Sequence, residues 1–195
     1  MRHRWWKVAA MCCALSACGK SSTEPTVTPP NVTVGGSVAQ ISGPTDVRIG
    51  ALSSDTNTRL FNESLGVTLS SALTVDFNAP GNYSTPPTGT LPVIAAGTAV
   101  NSYYLVADAV NPPRTYTGTI TFERDVLGVI VLNTGFAASN TVLGRPGTLY
   151  ASTGIEYELG PLQQDNFSLS ADRRTITFLV QTLTAADNMR IITAK

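Results

Sequence analysis

The sequence predicts an all-β domain, an antiparallel β-sandwich, and three observations lead there. Runs of Val, Ile, Thr, Tyr and Phe alternate apolar with polar residues, the two-residue period of a half-buried strand. Gly, Pro, Asn and Asp break those runs at short intervals. No window sustains a helical period, and this many short strands argue for a sandwich, of jelly-roll or immunoglobulin-like type, or for a barrel.

In chain order the predicted strands are 46–52, 58–62, 66–69, 72–77, 99–109, 115–124, 127–133, 155–159, 166–170, 175–181 and 189–193. The clearest hairpin is "NFSLS-ADRR-TITFLVQ", in which Phe167 and Leu169 alternate with polar residues, residues 171–174 turn, and Ile176, Phe178 and Val180 resume the apolar face. "NAPGNYSTPPTG", residues 78–89, reads as a surface loop. The longest apolar stretch, residues 126–138, is stopped by Asn133 well short of membrane-spanning length, so a strand buried on both faces is expected there. A short helical turn is placed around residues 138–143, and no internal repeat is visible.

Ahead of this domain the chain changes character. Arg2, Arg4 and Lys7 precede a brief apolar run and small residues, the order of a secretory signal, and the run is too short for a permanent bilayer span. "GKSSTEPTVTPPNVTVGG", residues 19–36, is polar and rich in Ser, Thr and Pro, so it reads as a tether; the alternative is an edge strand at residues 31–34. The expected organisation is therefore a signal peptide at 1–17, a tether at 18–36 and the β-sandwich at 37–195.

Leu15-Ser16-Ala17-Cys18 resembles the lipobox of bacterial lipoproteins. That resemblance implies a diacylglyceryl group on the Cys18 sulfur, cleavage just before Cys18, and a protein held at the cell envelope by its acyl chains. Gly19 after the cysteine, where Asp would retain the protein at the inner membrane, implies the outer membrane in a diderm bacterium. Each buried methylene contributes about 0.8 kcal/mol, so several chains together make a firm anchor. The alternatives are an ordinary signal peptide whose small residues happen to be followed by Cys, or a buried hydrophobic N-terminal helix.

Removal of residues 1–17 would take His3, both tryptophans, Cys12 and Cys13 with it. With Arg2, Arg4 and Lys7 gone, ten basic side chains face thirteen acidic ones, so nothing favours a nucleic-acid partner. The one remaining cysteine would be lipidated, and the core alone must hold the fold.

From "TGTITF" to "MRIIT" the chain also resembles a β-domain that recurs in exported bacterial proteins, many of which carry a PEP-CTERM sorting tail. Residues 119–122 with 126–130, Leu143-Gly144, Pro146-Gly147-Thr148 with Tyr150, Asp172 with 175–178, and 189–193 carry the likeness. The resemblance implies a domain that works held at the cell envelope and names no activity; an envelope or matrix polysaccharide or protein is the partner expected of such a module. It supplies no catalytic positions.

Chemistry in the residues themselves is sparse. Without His3 no Ser-His-Asp or Cys-His relay exists, zinc sites of His and Cys are excluded equally, and no phosphate-cradling Gly loop is present. No cofactor is expected. Glu156 and Glu158 in "GIEYELG" share one strand face, the arrangement of a glycosidase pair or simply of a solvated face. Asp165 with Asn166, Asp172, Asp187 with Asn188, and Asp108 with Asn111 are oxygen donors for calcium or, more simply, turn formers. Tyr83, Tyr103, Tyr104, Tyr150 and Tyr157 are the aromatic faces open to a sugar, although a half-buried strand tyrosine is the commoner situation. Asn-x-Ser/Thr triplets at Asn31, Asn62, Asn82 and Asn166 carry no meaning in a bacterial lipoprotein.

Overall fold

The computed structural model describes residues 32–160 and 164–195. The predicted signal peptide, Cys18 and the tether as far as Asn31 lie outside the described residues. Among the described residues the strands are β1 Val32–Gly36, β2 Val38–Gln40, β3 Thr58–Thr68, β4 Leu73–Thr74, β5 Gly81–Tyr83, β6 Val93–Ile94, β7 Ala99–Ala107, β8 Arg114–Phe122, β9 Val126–Ile130, β10 Asn166–Leu169, β11 Thr175–Thr182 and β12 Asp187–Ala194, with one helix, α1, at Asn133–Leu143.

Two five-stranded sheets form the sandwich. The first runs β1-β8-β11-β10-β5 and the second β2-β3-β7-β12-β9, while β4 and β6 form a separate two-stranded ribbon. Every pairing is antiparallel except β2 with β3. Alternation sets what each strand gives to the core. Tyr116, Ile120 and Phe122 of β8 and Ile176, Phe178 and Val180 of β11 meet Leu60, Tyr103, Leu105, Met189 and Ile191 from the second sheet. Gly118 sits among them because a Cβ there would lie 2.8 Å from the Phe178 ring.

The second sheet is buried on its other face as well. Phe61, Val100, Tyr104, Val106, Ile130 and Ile192 form a second core with Phe136 and Leu143 of α1 and with Val47, Val75 and Ile155 from connecting segments. Of residues 126–138, expected as a strand buried on both faces, only 126–130 are strand; there Val129 enters the first core and Ile130 the second, while the stretch from Asn133 is helix. The predicted hairpin is β10–β11, in register from Leu169↔Ile176 to Asn166↔Leu179.

Several expectations need correction. The helix is eleven residues long and begins at Asn133, not near Ala138, and β9 ends at Ile130. The Asp76 carboxylate explains the switch, since its Oδ2 accepts the amides of Val131 and Leu132 at 2.7 and 2.8 Å and ends the ladder there. Gly135 lets the helix settle on β9, for a Cβ there would lie 2.6 Å from Ile130 Cγ2. The tether boundary also moves. Residues 32–36 are the edge strand β1, paired with β8 from Val32↔Phe122 to Gly36↔Gly118, so the strand alternative is the observed one.

Residues 46–52 are not a strand. Asp46 makes one isolated bridge to Leu149, and its carboxylate accepts the Arg48 amide at 2.9 Å and its guanidinium at 2.6 Å, folding the chain back on itself. The predicted strands 58–62 and 66–69 are one strand, β3, whose register shifts on both sides of Ser64. Inside the predicted loop 78–89, β5 pairs with β10 through Tyr83↔Phe167. Residues 155–159 alternate as expected but form a strap rather than a strand. Ile155 enters the second core and Tyr157 and Leu159 the first, and the Ile155 carbonyl accepts the Asn188 amide at 3.0 Å, beside β12 where β9 has ended.

Candidate functional site

The strap points Glu156 and Glu158 away from the core, as the alternation predicts. Burial, then the charges of Glu158 and Asp76, push the Glu156 carboxyl above its ordinary value. The Asn133 amide donates to its Oε2 at 3.3 Å, and Glu158 lies exposed. The structure therefore keeps the two glutamates near each other and adds Asp76, which the sequence does not single out.

The oxygen-rich turns separate into different local roles. Asp108 accepts the Gly50 amide at 2.7 Å and the Ser53 hydroxyl at 2.8 Å, whereas its supposed companion Asn111 bonds Asp55. The Ser170 hydroxyl donates to Asp172 inside the β10–β11 turn. Asn166 donates to the Gln164 carbonyl, and Asn188 donates to the Tyr104 hydroxyl at 3.2 Å. Asp165 and Asp187 do come together. They are 1 % and 5 % exposed, and the Asp165 Oδ1 accepts the Gln181 amide at 2.7 Å while its Oδ2 has no partner. Burial pushes Asp165 up to about 7; burial, then the charges of Asp165, Glu158 and Asp108, push Asp187 up to about 9. Among the described residues no three His, Cys, Asp or Glu side chains gather in a way that could hold a metal ion.

Four of the five tyrosines face inward. Tyr103 stacks on Phe122 in the first core, with centroids 5.0 Å apart. The Tyr157 hydroxyl reaches the carbonyls of Leu179 at 2.7 Å and Asn166 at 2.9 Å, pinning the strap to the hairpin. Tyr104 and Tyr150 pack edge to face beneath α1, and the Tyr150 hydroxyl accepts the Arg145 amide at 2.9 Å.

Around them lies a group the sequence reading missed. Arg190 is 0 % exposed and makes a two-pronged pair with Glu63, Nε to Oε2 at 2.7 Å and Nη2 to Oε1 at 2.6 Å. Ser102 donates to Glu63 at 2.6 Å, while the Ser139 hydroxyl, the Asn140 side-chain carbonyl and the Phe136 backbone carbonyl of α1 accept the remaining guanidinium protons. The guanidinium carbon lies 5.1 Å from the Tyr104 ring centroid and 5.6 Å from that of Tyr150. Burial works against the charge, yet the Glu63 carboxylate holds the Arg190 pKa above its ordinary value. Arg190 stands between Met189 and Ile191, and alternation alone sends it toward solvent; only the helix above it changes that.

Tyr83 is the tyrosine at the surface. Its hydroxyl donates to the Ala79 carbonyl, and its ring centroid lies 4.2 Å from Phe77 and 4.9 Å from Phe167. Beside this aromatic group the 84–92 loop walls a cavity of about 320 Å³, also lined by Asp76, Phe77 and Asn82. Asp76 is 4 % exposed, and burial raises its pKa against the pull of its two amide donors. The signal was present in "TVDF", an acid placed before an aromatic residue at the end of an otherwise apolar run.

Comparison of the chain with family models, with curated proteins and with solved structures finds no match in any of the three. No helix among the described residues is long and apolar enough to cross a membrane.

Proposed function

We propose that the protein is a lipid-anchored envelope protein in which Cys18 carries the acyl chains and residues 19–31 tether a β-sandwich that acts by binding rather than by chemistry. The observation that carries the reading is the order of the first residues: a basic end, a short apolar run, Leu15-Ser16-Ala17-Cys18, then a polar stretch leading into the first strand at Val32. An anchor of this kind suits a domain that works by contact at a surface. The expected partner is a polysaccharide or protein of the envelope or its matrix, reached through loops at the rim of the sandwich. No cofactor has a part in it.

Replacement of Cys18 by Ser tests the anchor. Wild-type protein should partition into the membrane fraction with a mass matching cleavage before Cys18 plus acyl chains, and Cys18→Ser should appear in the soluble fraction without them. An unmodified thiol on membrane-associated protein, or a mature chain still starting at Met1, would overturn the reading.

A further inference from the structure

We propose that the cavity floored by Asp76 and walled by Phe77 and Tyr83 binds an uncharged sugar ring of an envelope or matrix polysaccharide. The proposal deepens the reading of this domain as a binding module and rests on it.

Three features make the cavity a built site. The first is an aromatic wall. Phe77 and Tyr83 are both half-buried, tilted 44° to each other, and backed by Phe167, so the Tyr83 ring is fixed at the cavity instead of swinging freely. An aromatic ring held this way offers an apolar face to the C–H face of a pyranose. The second is the floor. Asp76 has one carboxylate oxygen, Oδ2, bound by the Val131 and Leu132 amides, which locks the side chain in place. The other oxygen, Oδ1, is left to accept from a ligand hydroxyl, a charge-assisted bond stronger than a neutral one. The third is the rim, where Asn82, Ser84 and Thr85 line the cavity and carry amide and hydroxyl donors and acceptors.

Volume and charge choose the ligand. About 320 Å³ is at the small end of ordinary ligand pockets, room for one ring of a longer chain and not for a folded partner. The lining contains a carboxylate and neither Lys nor Arg. A uronate or other anionic ring would meet that negative floor with no Lys or Arg in the lining to offset it, the Arg173 charge reaching Tyr83 only from outside that lining, whereas a neutral ring would give it hydroxyl protons. Pro86, Pro87 and Pro92 stiffen the wall, so little freedom remains to be lost when the ligand enters.

Calorimetric titration of the mature lipoprotein in detergent micelles with neutral gluco-, galacto-, manno- and xylo-oligosaccharides tests this, with oligogalacturonate as the charged comparison. At least one neutral oligosaccharide should bind, and Tyr83→Leu should weaken it at least tenfold. Asn82→Ala, an exposed change that leaves the aromatic group intact, should weaken it several-fold with the melting temperature unmoved, so a failure of Tyr83→Leu to fold cannot hide the answer. Tyr150→Phe, remote in the second core, should bind as wild type. Neutral-sugar binding indifferent to both Tyr83→Leu and Asn82→Ala overturns the cavity but leaves a binding module standing. Absence of binding to any neutral oligosaccharide overturns the ligand class, as does preference for oligogalacturonate. None of these results bears on the anchor, which the Cys18→Ser fractionation judges separately.

Discussion

At the scale of single residues the most consequential contact is the Arg190–Glu63 pair beneath α1. Both side chains are fully buried, so removing one charge leaves the other without solvent or counter-charge. Glu63→Gln should lower the unfolding free energy by about 3–5 kcal/mol, read from urea denaturation. Changing both residues together to Met and Leu should recover much of that loss, because the desolvation cost of the two ions disappears with them. Sequence reasoning had little access to this pair. Glu63 falls in the polar break "NESLG", which looks like a gap between two strands and is instead the irregular middle of β3. The Asp76 floor was hidden for a related reason, since its partners, the amides of Val131 and Leu132, lie far along the chain.

Among the elements, α1 is the one that propensity predicts least. "NTGFAASNTVL" contains Gly, two Asn and two Thr, and Leu132 supplies no side-chain cap. The helix exists because Phe136, Ser139 and Leu143 fall on one face and the second sheet offers that face a surface. Phe136→Ala should therefore cost about 3–5 kcal/mol in urea unfolding, most of it through α1. Strands with sustained alternation were legible whether their partners are near or far, as β7, β8 and β12 show, but only a local pairing could be read with them. The β10–β11 hairpin needs only its own alternation and a four-residue turn, and it stands as read. Residues 46–52 show the converse: they alternate, but the Asp46–Arg48 contacts close a turn that a pattern of apolar positions does not record.

For the whole molecule, the acidic group at the strap makes stability depend on pH in an unusual direction. Asp165 and Asp187 are raised to about 7 and about 9, against about 3.9 in an unfolded chain. Their protonated forms therefore support the fold fully below about pH 4, and that support falls away as pH rises toward 7 for Asp165 and toward 9 for Asp187. The groups facing Asp187 are Asp165, Glu158 and Asp108, all of the same sign. Thermal melts should show a midpoint that declines from pH 5 to pH 9, and Asp187→Asn should flatten the upper part of that decline. A midpoint that rises over this range in the wild type would contradict the assignment. The sandwich itself was legible because two-residue alternation persists through most of the chain. Its third layer was not, since covering the second sheet depends on contacts between segments as distant as Val47, Phe136 and Ile155.

One arrangement has a bearing on how the molecule comes into being. β12 is the last described strand in chain order, yet it lies between β7 and β9 and touches both cores. Without β12, β7 and β9 would each present an unmatched edge, so the second sheet closes only when this strand seats between them.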